Sequence, residues 1–252
     1  MRTLVIVNSS QSFEYENFKN SIFRALKHFG VFFEILDLSQ TSISYEMLRK
    51  DVHLLIFAQE GLGSKINKEA SESIIKATSK GLGLISFDGH FSLYPSNFLK
   101  ELNLCPDKEK SISTLQLVKE NCFVDTSEQE IPLKNPLTCQ PNLEDENWST
   151  FLKGDKETPC AAYTTKKNSK IIFFFLSSHI WLNKYLGFGG ALDEIFRDAI
   201  VWAAKKPYII KPMPPFVAMR VDGVSFSGNL LVPNTDTLSN LKWLDILNKY
   251  GF

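Results

Sequence analysis

The chain has 252 residues, enough for one large or two small domains with a sizeable buried core. Lysine plus arginine and aspartate plus glutamate both number 28, so the formal net charge is zero, and neither a nucleic-acid nor an anionic-membrane partner is expected. No apolar run approaches the roughly 18 residues of a membrane span, and MRTLVIVNSS lacks the long apolar core and cleavage site of a secretory signal. Cys105, Cys122, Cys139 and Cys160 are too far apart to form the close ligand pairs of a zinc site. The expectation is therefore a reduced, cytoplasmic protein with no metal and no cofactor.

In chain order, residues 3–7 form a continuous aliphatic run, the pattern of a strand buried on both faces. Residues 14–29 place Phe18, Ile22, Ala25, Leu26 and Phe29 on one helical face, with Gly30 as the stop. A second strand follows at 32–38, a short helix at 45–50, a third strand at 53–58, a helix at 66–78 closed by Gly81, and a fourth strand at 82–87. Alternating strands and helices at these spacings imply parallel βαβ units. The expected fold is an α/β, three-layer flavodoxin-like sandwich with a mostly parallel sheet.

Residues 105–155 are dense in charge, Ser, Asn and Pro, with brief apolar stretches at 112–118 and 122–124. They predict an irregular insertion of short antiparallel strands and loops in the middle third. Strands at 161–165 and 170–176 form a hairpin around 166–169, and the second of them leads into Ser177, Ser178 and His179. Leu192, Ile195, Phe196, Ala199, Ile200 and Ala203 then build one apolar helix face, ended by Lys205, Lys206 and Pro207. Pro212, Pro214 and Pro215 read as a stiff linker, and 216–221 as a strand ending in Asp222. The expected division is a domain at 1–207, a linker at 208–215, and an incomplete segment at 216–252 forming a short strand-helix tail.

Ligands of open parallel sheets bind beyond the carboxyl ends of the strands. Those ends carry Asn8, Ser9, Ser10, Asp37, Gln59, Glu60, Asp88, His90, Ser178 and His179. The ligand-binding candidates are Asn8, Ser9, Ser10, Glu60, Asp88, His90, Ser178 and His179. Asn, Ser and Asp also cap helices and make turns without any ligand. Residues 8–13 contain no glycine, and neither phosphate-binding glycine motif occurs. The turn at 86–90 has Asp88 where a nucleophile elbow needs Ser or Cys. Asp222, at a strand end, is the candidate catalytic acid.

GLGLISFDG (81–89) and FRDAIVWAAKKP (196–207), with the order of elements between 3 and 207, resemble the class I glutamine-amidotransferase-like fold in a non-catalytic form. That class uses an elbow cysteine with His and Glu partners, and Asp88 stands in the corresponding turn. PPFVAMRVDGVS (214–225) and LKWLDILNKYGF (241–252) resemble the opening of a polysaccharide-deacetylase-like (NodB-type) barrel. Its strand would carry a general base, matched by Asp222, followed by a metal-ligating acid, replaced by Gly223. The resemblances imply a non-catalytic accessory or ligand-sensing domain, binding a small sugar or acyl ligand and joined to a deacetylase-like domain of a longer chain. The alternatives are a metal-dependent polysaccharide deacetylase fragment with Asp222 as base, and a flavodoxin-like protein binding FMN near Ser9 and Ser10.

Overall fold

The computed structural model describes residues 2–49, 51–118, 130–143, 146–187 and 191–205. The chain divides into two units, Met1–Ile210 and Lys211–Phe252, and every described residue belongs to the first. The linker, the tail and Asp222 lie outside the described residues.

Nine strands form one sheet in the order β2-β1-β3-β4-β9-β8-β7-β5-β6. The parallel part consists of β1 (Arg2–Val7), β2 (Phe33–Asp37), β3 (Val52–Phe57), β4 (Gly83–Ser86) and β9 (Ser169–Phe174). β1, β3 and β4 are buried almost throughout, as their unbroken aliphatic sequences require. β5 (Lys110–Leu117), β6 (Glu130–Cys139), β7 (Ser149–Gly154) and β8 (Thr158–Lys166) extend the same sheet through antiparallel pairings that begin at β9.

Two expectations are corrected here. The sheet is not mostly parallel, since four of its eight strand pairings run each way. The antiparallel pairing expected in the middle third is present, but its described strands are not all short, because β5 and β6 are among the longest in the sheet. Their sequences look irregular for a physical reason. β6 occupies the outer position in the strand order and tolerates Pro132 and Pro136, and β5 buries only every second or third residue (Ile112, Leu115, Leu117). The end of β6 also returns to the chain just beyond β9. Cys139 bridges Leu176, the Ser177 amide donates to the Thr138 carbonyl at 3.0 Å, and the Gln140 amide donates to the Phe175 carbonyl at 2.8 Å.

The helix expected at 14–29 is two helices, α1 (Ser12–Asn20) and α2 (Ile22–His28). Fully buried Ser21 separates them at φ −122° and ψ −98°, its hydroxyl donating to the Asn17 carbonyl at 2.7 Å. The side chain thus takes the acceptor that an uninterrupted helix would give to its own ladder. α3 (Tyr45–Arg49) and α4 (Lys68–Ser79) follow, α4 capped by the Asn67 side chain accepting from the Ala70 amide at 2.8 Å. α5 (Ser96–Leu102) was not foreseen. Pro95 precedes it and left-handed Asn103 closes it. α6 (Ala191–Ala204) buries all six residues assigned to its apolar face.

Helices cover both faces of the sheet, and adjacent residues of β9 show this. Phe173 meets Phe91, Phe98 of α5 and Trp148, whereas Phe174 meets Phe87, Phe151 and Trp181. Phe87 and Trp181 in turn pack on Phe196 of α6. The strand period of two sends successive rings to opposite layers.

Candidate functional site

The parallel strands all deliver polar residues to their carboxyl ends, and the loops there bind one another. Glu60, just beyond β3, is almost wholly buried. One carboxylate oxygen accepts the Ser178 amide, and the other accepts the Gly89 amide at 3.0 Å and faces His90 Nδ1 at 2.9 Å. Asp88, beyond β4, is completely buried and accepts three amides: Gly61 at 2.9 Å, Gly63 at 3.1 Å and His90 at 3.1 Å. Two carboxylates therefore tie the loops after β3, β4 and β9 together. Gly89 permits this, since a Cβ there would sit 2.9 Å from the Leu176 carbonyl carbon.

The electrostatics follow from this enclosure. Burial and the charge of Glu60 push the Asp88 carboxyl up to about 7, against the pull of its three amide donors. The hydrogen bond to Glu60 raises His90 to about 9, opposed by burial and helped by the charges of Glu60, Asp88 and Glu109. His90 is thus an imidazolium at neutral pH, with Nδ1 on Glu60 and Nε2 3.8 Å from Glu109. A second pair lies across the loops. His179 Nε2 is 2.7 Å from Glu14 of α1 and 3.0 Å from the Asn17 side-chain amide. Burial raises the Glu14 carboxyl, but the bond to His179 and its charge outweigh this and leave it lowered. Phe13, a residue 66% exposed, stands edge-on to His179.

The residues nominated from sequence separate into groups. Glu60, Asp88, His90 and Ser178 meet directly, Ser178 through its backbone rather than its hydroxyl. His179 belongs to the neighbouring pair with Glu14. Asn8, Ser9 and Ser10 serve the turn after β1. The Asn8 amide donates to Gln59, the Ser9 amide to Asp37 and the Ser10 amide to the Asn8 side chain, at 3.0, 3.0 and 3.2 Å. These amides are the groups that would cradle an FMN phosphate, and each already has a protein acceptor.

Glu14, Glu109 and Tyr94 escaped the sequence reading. Glu14 lies in the first turn of α1, where the helix dipole favours an acid without any ligand, and only the fold brings it to His179. Cys139 and Cys160 are free and buried on β6 and β8, and a hydrogen bond between their thiols, with burial, drives the Cys160 thiol well above its usual range.

No protein-family model matches the chain, and no curated protein sequence matches it. Solved structures do. A ThuA-like protein from Bacteroides uniformis is 12% identical with a TM-score of 0.61, over 81% of this chain and 91% of its own. A β-galactosidase from Rahnella sp. R3 is 12% identical with a TM-score of 0.56, over 84% of this chain and 32% of its own. The carbohydrate deacetylase Agd3 is 8% identical with a TM-score of 0.54, over 82% of this chain and 33% of its own. At such identities the likeness is one of architecture, and the architecture is that of ThuA-like proteins, a class I glutamine-amidotransferase-like fold.

Proposed function

We propose that this chain is a non-catalytic amidotransferase-like module that binds a small sugar or acyl ligand above the carboxyl ends of its parallel strands, as an accessory to carbohydrate metabolism. The observation that carries the reading is Asp88. It occupies the turn after β4, where the resemblance would put a cysteine nucleophile, and its carboxylate is buried and engaged by three amides. A group held in this way fixes loops and has no free access to a substrate carbonyl. Exposed Phe13 beside His179 and Glu14 offers an apolar ring face next to polar partners, the usual composition of a sugar-binding surface.

The carbohydrate part of the proposal draws on the β-galactosidase and the deacetylase, each matched over about a third of its own chain. In both, a unit of this size is one part of a larger protein, which fits an accessory role beside a deacetylase-like domain. Saturation-transfer NMR with N-acetylated and O-acetylated oligosaccharides, alongside a glutamine-hydrolysis assay, tests both halves. We expect sugar contacts that disappear in Phe13→Ser, and no glutamate release above the protein-free rate. Measurable glutaminase activity removes the non-catalytic reading, and absence of sugar contacts at millimolar ligand removes the carbohydrate one.

A further inference from the structure

The ring of loops around Glu60 holds a group that turn formation leaves unused. Tyr94 is buried beside Asp88 and Ser86, yet its hydroxyl makes no well-formed hydrogen bond. An unsatisfied hydroxyl in such a place costs about 1–3 kcal/mol, so it marks a position where a further polar partner is wanted. Next to it, Glu60, Asp88 and His90 each offer one ligating atom, His90 by releasing the Nδ1 proton it shares with Glu60 as the cation enters, and the three lie within 4.8 Å of one another.

We infer that Glu60, Asp88 and His90 hold a divalent cation of the zinc or manganese type, with the Tyr94 hydroxyl facing its coordination sphere. The inference concerns the same loops as the proposed ligand site but does not rest on the carbohydrate reading, and a failure to bind sugar leaves it intact. A tetrahedral set with bonds of roughly 2.0–2.2 Å has edges of roughly 3.3–3.6 Å. His90 Nδ1 and the Glu60 oxygen, now 2.9 Å apart, therefore need to part by only a few tenths of an ångström. The more distant pairs close by up to about 1.5 Å.

The supporting shell is already in place. Amides of Gly89 and Ser178 orient the Glu60 carboxylate, and those of Gly61, Gly63 and His90 orient Asp88. Outer hydrogen bonds of this kind fix ligand direction in metal sites. One Asp88 oxygen accepts only the Gly63 amide, which leaves acceptor capacity for a cation. Three carboxylates, Glu60, Asp88 and Glu109, surround His90, so a cation lowers the local charge imbalance. One imidazole nitrogen with two carboxylates favours zinc or manganese over the all-oxygen environments of calcium and magnesium. Close cysteine pairs are the usual sequence mark of a zinc site, whereas these ligands come from two loops joined only by the fold.

The test uses the full 252-residue chain, stripped with chelator and titrated with zinc chloride and manganese chloride by calorimetry. We expect uptake of one ion per chain and a zinc-induced shift of the His90 Nδ1 resonance. His90→Gln should weaken uptake at least about tenfold, while His90→Asp, which keeps a ligating atom, should retain more of it. Circular dichroism confirms that both variants fold; His90 is part-exposed and tolerates the change better than Asp88. Absence of one-to-one uptake by the wild type overturns the site. Uptake unchanged in His90→Gln, or lost instead in Glu14→Gln, overturns its placement.

Discussion

The two halves of the sheet solve the same burial problem with different chemistry. From β2 to β9 the strands run parallel, with β1, β3, β4 and β9 buried almost throughout, and send every carboxyl end to one rim, where Glu60, Asp88, His90, Ser178 and His179 accumulate. From β9 to β6 the strands run antiparallel, the outer β5 and β6 leave most of their residues at least partly exposed, and few buried polar groups occur. Direction explains the difference. Parallel strands must all end on the same side, so their turns crowd together, while antiparallel strands distribute their turns to both sides. The second half nevertheless serves the first. Its last strand pairs with 175–177, and Gln140 accepts the Ser92 amide at 3.0 Å, so it braces the loops on either side of the site.

The largest expected effect tests whether the halves unfold together. Phe174 lies on β9, where the two pairing types meet, and stacks on Phe87 at 4.8 Å while touching Phe151 of β7 and Trp181. Phe174→Ala should lower stability by about 3–5 kcal/mol, through lost burial plus the cavity left behind. Urea unfolding followed by both fluorescence and circular dichroism should show one transition displaced as a unit. Two separated transitions would mean that the antiparallel half is an independent folding unit, and the comparison would need redrawing.

A second expectation separates the halves by pH. His90 titrates at about 9 in the folded chain against 6.5 in a free histidine, so its contribution is fully present below 6.5 and is lost as pH rises through 9. Asp88 is also raised, to about 7 from 3.8, so its contribution is present below 3.8 and is lost as pH rises through 7. Both shifts have the same sign, and stability should fall between pH 4 and 9. Asp88 could account for on the order of 4 kcal/mol as an upper bound. His90, more than a third exposed, contributes less than its shift implies because solvent screens it. Urea midpoints measured across this range should show the decline. Glu60→Gln should flatten it and move the His90 titration, followed by NMR, back toward 6.5. A pH-independent midpoint would show that the rim carries no protonation linkage.

The two halves were also unequally legible. β1, β3 and β4 announce themselves as aliphatic runs, and α6 as six apolar residues at helical spacing, because each is decided by burial along its own length. β5 and β6 are decided by pairing with distant segments, and Pro132, Asn135 and Pro136 conceal a strand that works as an outer one. The same distinction governs the site. Glu60, Asp88 and His90 stand at strand ends, which sequence locates, whereas the Glu14–His179 pair spans 165 positions and depends on how α1 sits over the turn after β9. The break at Ser21 was equally hidden, since nothing in an apolar period reveals a buried hydroxyl bonding backward.

The smallest effect sits where the pairing direction changes. The β8–β9 hairpin closes with Lys166 paired to Ser169, and Lys167 in its two-residue turn has φ +54°. A side chain in the left-handed region crowds the following carbonyl at a cost of about 1–2 kcal/mol, which glycine avoids. Glycine also gives the unfolded chain more freedom, and that offsets part of the gain. Lys167→Gly should therefore stabilise the protein by no more than about 1 kcal/mol, read as a small rise in the urea midpoint at unchanged slope. A loss of stability would show that the Lys167 side chain, rather than the turn backbone, sets the register in which β8 meets β9. The antiparallel half would then be anchored by side-chain contact at its first turn, not by strand geometry alone.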